Sequence, residues 1–283
     1  MFEKVNMYHP DKVADRIAGA LVDLCYRLQE APKCAFEVLV GHGVCHIIGE
    51  SSVDFGEGVI PDQVNTMARR ITGDESICVI TDIVPQDALL AKNQEGGIRC
   101  GDNGIFRGVK SNGEEKALAA FAGYMGRKYM SDGKYVVVGD KLVICQSNAD
   151  EEECMRDARE IMRWGGTVIV NPLGSWIGGL GVDTGATNRK LGSDMGRAVT
   201  GGGLHGKDLT KADVSVNIYL HNIAETYGET YEAWCAIGDS GIQLIGESSS
   251  RFVDYGSVME RAKWWLDTYC GGSFEKFAER GLV

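Results

Sequence analysis

No run of apolar residues in this 283-residue sequence approaches the ~20 needed for a bilayer span, so no membrane partner is expected. Nor do its nine cysteines form a CxxC pair, and no secretory leader is expected ahead of them. Reduced thiols in a cytoplasmic protein are therefore expected. The chain also has no excess of cationic charge. Lys and Arg total 29 against 40 acidic residues, a net charge of −11, which disfavours a nucleic-acid-binding surface. An anionic ligand would have to be held by a local cationic cluster.

What remains is ordinary for a folded globular protein: 44% hydrophobic and 24% charged residues. That length allows two or more small domains, or one large one.

The stretch His9-Pro10-Asp11-Lys12 begins an amphipathic helix. Pro10 suits a first helical position, where its missing N–H would be unpaired anyway, and Val13, Ile17, Leu21, Leu24 and Leu28 follow at helical spacing. His9, Asp11 and Lys12 then stand at a helix N-terminus, where partial positive charge suits a phosphate or metal-phosphate. The same residues are also what a capped, solvated helix start looks like.

Further on, alternation over residues 34–40 and the turn at Gly41-His42-Gly43 predict a β-hairpin, then a helix from Pro61 and a strand from Ile77 to Val84. The order returns at Tyr135 to Val138, Leu142 to Cys145, a helix from about Ala149 to Trp164, and Thr167 to Val170. A third unit is incomplete, with a hairpin at 234–245 and a helix from Ser257 to Tyr269. Ile-Gly-Glu-Ser-Ser itself recurs at 48–52 and 245–249, which supports duplication. Two more helices fit between the units, at 114–130 and 210–225. Small sheets covered by helices on one face leave the other face to be buried, so a homo-oligomer is expected.

Residues 171–206 are rich in glycine. Either they form a mobile linker or they bring backbone close to a ligand. Between Asp183 and Asp213, five cations face four carboxylates, a local +1 in an acidic chain. Carboxylates for a hard cation and cations for phosphate oxygens are the two parts of a metal-phosphate site. Such a grouping also occurs as a surface ion-pair set.

Four segments then match one family in order. His9-Pro10-Asp11-Lys12 resembles the HPDK segment of S-adenosylmethionine synthetase (methionine adenosyltransferase), and Gly101-Asp102-Asn103-Gly104 resembles its GDQG. Residues 183–190, DTGATNRK, are similar to DxGLTGRK, and residues 201–208, GGGLHGKD, to GGAFSGKD. The resemblance covers most of the chain and is thin from about 105 to 165.

It implies an α+β fold of three repeated α/β (ββαβ-type) domains in pseudo-threefold arrangement, with sheets packed at a dimer interface. The expected domains are 1–105, with the HPDK segment and lid, a shortened middle domain 106–177, and 178–283 with the glycine-rich loop, with elements exchanged between them. The implied reaction joins ATP and L-methionine into S-adenosylmethionine, releasing phosphate and diphosphate, with two Mg²⁺ and K⁺ as cofactors. A homodimer or dimer of dimers would carry its active sites between subunits. By the same resemblance His9 lies at the bond that breaks. Lys134, Arg189, Lys190, Lys207 and Lys211 surround the triphosphate, and Asp11 and Asp213 hold Mg²⁺. Glu37 lies near K⁺, Glu50, Gln86 and Asp102 face methionine, Glu3 and Asp183 contact substrate, and Trp176 stacks on adenine.

The departures are Tyr8 and Asn188 where the family has Gly, Asn103 where it has Gln, and a lid shortened to residues 86–101. Two other readings fit the same phosphate clamp: a Mg-dependent ATP or triphosphate hydrolase on this scaffold, and an inert nucleotide-binding regulator. Glu50 and Asp102 speak against the first, since a plain triphosphatase needs no carboxylates for an ammonium. Retention of His9 speaks against the second.

Overall fold

A computed structural model describes residues 1–56, 58–93 and 98–283. Of the shortened lid stretch, residues 94–97 lie outside the described residues. Among the described residues no helix is long and apolar enough to cross a membrane.

The chain opens with β1 (Phe2–Val5) and α1 (Pro10–Leu28), then β2 (Cys34–Gly41), β3 (Val44–Ser51), α2 (Val59–Thr72) and β4 (Cys78–Pro85). A short α3 (Ala88–Asn93) and β5 (Gly104–Gly108) lead to α4 (Gly113–Tyr129), β6 (Gly133–Val138), β7 (Lys141–Gln146), α5 (Glu151–Glu160) and β8 (Thr167–Val170). The two-residue β9 (Gly185–Ala186), α6 (Leu191–Met195) and α7 (Ala212–Tyr227) follow. β10 (Tyr231–Cys235), β11 (Gly241–Ile245), β12 (Ser250–Asp254), α8 (Tyr255–Cys270) and α9 (Phe274–Arg280) end it.

Among the described residues the strands form three four-stranded sheets, ordered β4-β3-β2-β9, β8-β7-β6-β1 and β12-β11-β10-β5. Each is a hairpin flanked by the strand that follows it and by one borrowed from elsewhere in the chain. In the first two sheets a helix carries the chain to the flanking strand, which must then run parallel to the hairpin's second strand. In the third, Gly246 N–H bonds Ser249 O at 2.8 Å and turns the chain directly into an antiparallel β12, so α8 comes after the sheet. That is why the third unit reads as incomplete in sequence. The repeated Ile-Gly-Glu-Ser-Ser marks the end of the hairpin's second strand both times.

Alternation sets which face of a sheet is buried. In β2, Phe36, Val38 and Val40 are buried against α1, while Glu37 and Leu39 point away. Helix α1 is buried along most of its length, packed on α9, β2 and β9, and is the hub of the first unit. The opposite sheet faces stay open and carry apolar side chains. Leu39 is 50% exposed, Ile48 61% and Ile80 46% on the first sheet, and Ile105 69%, Trp234 48% and Phe252 53% on the third.

Candidate active site

The helix predicted at Pro10 starts there, and His9 is its N-cap. The His9 ring accepts the Asp11 N–H at Nδ1, 3.2 Å away. Burial, reinforced by the Lys190 ammonium, lowers His9 to about 4. At neutral pH the ring is therefore uncharged. With Nδ1 accepting, its proton sits on Nε2, leaving one N–H to donate.

The glycine-rich segment is an ordered wrap around this helix start rather than a linker. Strand β9 lies across the first turn of α1, where a Cβ on Gly185 would stand 1.9 Å from the Pro10 carbonyl oxygen, so only glycine fits. One Asp11 carboxylate oxygen accepts the Ala186 N–H at 2.9 Å, and the other takes the Lys190 ammonium at 2.5 Å. Arg189, 57% exposed, reaches to 3.6 Å of Asp11. Burial alone would raise the Asp11 carboxyl, but the Lys190 and Ala186 hydrogen bonds hold it below the usual range.

A second cluster forms at the start of α7. Lys207 pairs with Asp213, in the first turn of α7, and Lys211 is the N-cap residue. Burial would lower Lys207, yet Asp213, Asp102 and Glu37 together raise it. Asp213 itself is raised by burial, with Asp102 adding to the effect against the Lys207 charge. Its Oδ1 is buried with no hydrogen-bond partner. A crowded carboxylate with an orphaned oxygen fits the holding of a divalent cation. Gly202 approaches the same carboxylate so closely that a Cβ there would be 2.3 Å from it.

Both loops dock on one edge of β2. Strand β9 pairs with Leu39 and Val40, and Lys207 bridges Ala35, whose other partner is Glu50 of β3. Glu37 takes the Thr187 hydroxyl on the open face of the same sheet. Glu50 also lies on that face, and Gln86 follows β4 with a buried Oε1 that has no partner. Lys134 pairs with Glu3 at 2.9 Å across β6 and β1. Asp183 is exposed, with Oδ1 accepting the Thr184 N–H. Both Lys134 and Asp183 act on His9 electrostatically. Trp176 donates its indole N–H to Asn171 at 3.0 Å. The structure thus gathers His9, Asp11, Arg189 and Lys190 in one group and Asp102, Lys207, Lys211 and Asp213, with Glu37, in another. Glu3, Glu50, Gln86 and Trp176 stand around them.

Lys12 differs from the expectation of a phosphate-facing residue. Its ammonium, 1% exposed, points inward to Asp194 at 2.8 Å and Asp15 at 3.1 Å. His205 joins at 2.9 Å from Asp194. Asp15, Asp194 and His205 are close enough to share a metal, but Lys12 already fills the space among them, making this a buried ion-pair core. In place of a ligand contact, Lys12 anchors α6 and the glycine-rich loop to α1.

Asn188 gives its departure a reason. It adopts the left-handed conformation, φ 62°, which glycine would take freely. Its side chain accepts from Leu204 N–H at 2.8 Å and His205 N–H at 2.9 Å, and its own N–H binds Asp15 at 2.7 Å. This one residue staples the Arg189-Lys190 loop to the Lys207 loop and to α1. Asn188→Gly keeps the backbone geometry and removes the side-chain bonds. Turnover is expected to fall about tenfold, with a change of under about 1 kcal/mol in unfolding free energy. Unchanged turnover in steady-state assays contradicts the staple.

Sequence reasoning missed Asp132, two residues before Lys134 and next to Trp176. Burial, with Asp183 and Asp11 nearby, raises its carboxyl to about 6. Folded protein then holds this proton more tightly than unfolded chain, whose Asp titrates near 4, so stability falls as pH rises from about 4 to 6, by roughly 3 kcal/mol at most. Asp132→Asn is expected to flatten that slope in urea unfolding at stepped pH. A slope identical to the parent's rules the assignment out.

Comparison with known proteins gives a consistent picture. The model of the S-adenosylmethionine synthetase N-terminal domain matches residues 1–82. The S-adenosylmethionine synthase of Hyphomonas neptunium is 28% identical over 270 residues, covering 75% of this chain and 69% of its own length. That of Thermus thermophilus is 27% identical over 288 residues, covering 79% and 73%. Among solved structures, an "unusual S-adenosylmethionine synthetase" from Campylobacter jejuni superposes with a TM-score of 0.71 over 100% of this chain and 94% of that one, at 16% identity.

Proposed function

We propose that this chain is a methionine adenosyltransferase of the S-adenosylmethionine synthetase family, converting ATP, L-methionine and water to S-adenosylmethionine, phosphate and diphosphate. The observation that carries this reading is that two carboxylate–cation groups, Asp11 with Arg189 and Lys190, and Asp213 with Lys207, converge from distant motifs on one edge of β2.

Methionine sulfur is a neutral, weak nucleophile. Attack at ribose C5′ therefore needs near-attack positioning and a leaving triphosphate whose growing charge is met by fixed cations. Lys134, Arg189, Lys190 and Lys207 are each already paired with a carboxylate, so the ligand-free clamp carries little uncompensated charge. Substrate binding would exchange partners: the ammonium groups of Lys190 and Lys207 would turn to phosphate oxygens, and Asp11 and Asp213 are the residues that would hold Mg²⁺. When bound, Mg²⁺ supplies further neutralisation of those oxygens. His9, neutral with its proton on Nε2, donates a hydrogen bond to the oxygen leaving C5′. Lys134, Lys211 and Arg189 complete the clamp.

Glu50 and Asp102 receive the methionine ammonium and Gln86 its carboxylate, while Trp176 stacks on adenine and Glu3 and Asp183 contact substrate. Glu37 and the Thr187 hydroxyl offer oxygens to K⁺. Because Glu37 and Glu50 lie on an open, apolar sheet face, the active site is completed by a second copy of the chain stacked on that face, in a homodimer or dimer of dimers. Residues 1–105, 106–177 and 178–283 are its three domains, each lending a strand to another's sheet. The protein acts in the cytoplasm.

The test is incubation with ATP, methionine, Mg²⁺ and K⁺, followed by chromatography for the sulfonium product with phosphate and diphosphate. Phosphate release without the sulfonium product defeats this reading in favour of a triphosphatase. Nucleotide binding without turnover defeats it in favour of a regulator.

A further inference from the structure

We propose that the cleft enclosed by α4, α7, α8 and α9 binds a small polyanion carrying two or more phosphate groups, at a site separate from the active site. The cleft measures about 990 Å³, within the range of small-molecule pockets, and β1 with the residues leading to His9 forms one wall. Room is made on the α4 side by Ala119, Ala120 and Gly123, which lie between the cations Lys116 and Arg127.

Charge is the first argument. Five basic side chains line the cleft against two carboxylates, in a chain whose net charge is −11. Lys4, buried and held by the Ser193, Arg280 and Val283 carbonyl oxygens at 2.9 Å, is part of the wall, which leaves Lys116, Arg127, Lys276 and Arg280 to face a ligand. Both carboxylates are already engaged: Glu225 by Lys116 at 2.6 Å, and Glu279 by Arg16 at 3.1 Å. Among the described residues Arg127 of α4 and Lys276 of α9 have no carboxylate partner, and they come from different walls. Arg280, also of α9, is stacked on Trp265 and Tyr269 at 5.5 and 5.1 Å, which fixes its guanidinium beside them. A single phosphate would meet one wall. A diphosphate or longer chain can meet both, with the arginine forks matching its oxygens.

Solvated surface charge is the ordinary explanation for exposed lysines, and a buried group separates this cleft from it. His221 is only 8% exposed, lines the cleft, and its ring makes no protein hydrogen bond among the described residues. Its side chain packs edge-on against Trp265 at 5.8 Å. Burial lowers it to about 4, so it offers a neutral N–H or lone pair to a ligand atom. A buried polar group left open to a cationic cleft is explained by a polar ligand.

The wall also connects to the active site. The Lys4 ammonium holds Ser193 O at 2.9 Å, and the Ser193 hydroxyl accepts the Val5 N–H at 3.1 Å, one residue from the Asp194 that anchors Lys12. A ligand against Lys4 to Met7 therefore presses on the segment that leads from β1 to Tyr8 and His9.

Labelling of the intact protein by pyridoxal 5′-phosphate, trapped with borohydride and mapped by peptide mass spectrometry, tests the site directly. The reagent carries its own phosphate, so it concentrates its aldehyde at phosphate-binding lysines. Lys263, 67% exposed and outside the cleft, is the internal reference. Lys276 is expected to label at least about tenfold faster than Lys263, corresponding to about 1.4 kcal/mol of preferential binding. Inorganic diphosphate is expected to protect Lys276, and Arg127→Glu to slow its labelling without affecting Lys263. Equal rates at Lys276 and Lys263, no protection by diphosphate, or labelling confined to Lys134, Lys190, Lys207 and Lys211 overturns the proposal. None of these readings depends on turnover, so failure here and failure of the proposed activity are separate results.

Discussion

Replacing Lys12 with methionine is expected to lower the unfolding free energy by about 3–5 kcal/mol, among the largest effects of any single substitution in this chain. Methionine matches the volume and leaves no cavity to blame. The loss comes from Asp194 and Asp15, which remain buried without the ammonium that sits 2.8 and 3.1 Å from them. Burial pushes Asp194 up, but Lys12 and His205 hold it well below the usual carboxylate range. Its folded value is depressed, so its stabilisation is present above the unfolded value near 4 and lost only as pH falls through the folded one. Urea unfolding at pH 7 measures the effect, and a loss below about 1 kcal/mol contradicts it. The double variant Lys12→Met/Asp194→Asn separates mechanism from volume. It is expected to recover part of the loss, because the second change removes an orphaned charge. Additive losses would mean that the two residues do not form the pair described.

These residues also show what a sequence can and cannot reveal. The start of α1 is legible because Pro10 and the apolar spacing after it are local signals, and the hairpins are legible because alternation is local too. Strands β1, β5 and β9 are short, and each finds its partner in a distant part of the chain. Nothing within four or five residues marks which sheet a borrowed strand will join. Lys12 reads as a helix-end cation because charge is visible in sequence and burial is not. Only the approach of Asp194 and His205, 182 and 193 residues away, makes it a core residue. The candidate site was legible to the extent that its residues lie in motifs. Asp132 lies in none, and its raised carboxyl comes from burial. For Asn188 the departure was visible, while its purpose depends on two N–H groups in another loop.

Lys207→Ala is expected to reduce turnover at least ~100-fold, the loss of about 3 kcal/mol that follows removal of one well-placed partner of developing charge. The backbone contribution of this residue, its bridge to Ala35, does not need the side chain and stays in place. Folding is therefore expected to be preserved in far-ultraviolet circular dichroism. The ammonium is what is lost, and with it two functions. In the ligand-free protein it pairs with Asp213, which would be left buried beside Asp102 with both oxygens unmet and its carboxyl raised further than burial already raises it. In the reacting complex we propose, it meets the leaving triphosphate, whose charge grows only as the C5′–O bond breaks. An interaction that strengthens along the reaction lowers kcat as well as kcat/KM, whereas one made equally with bound ATP raises KM alone. Steady-state kinetics with ATP varied at saturating methionine separates the two. A fall confined to KM would make Lys207 a binding residue, and near-normal turnover would remove it from the site altogether. Lys207→Arg keeps the charge but cannot place a compact ammonium between Asp213 and phosphate, so it is expected to lie between alanine and the parent.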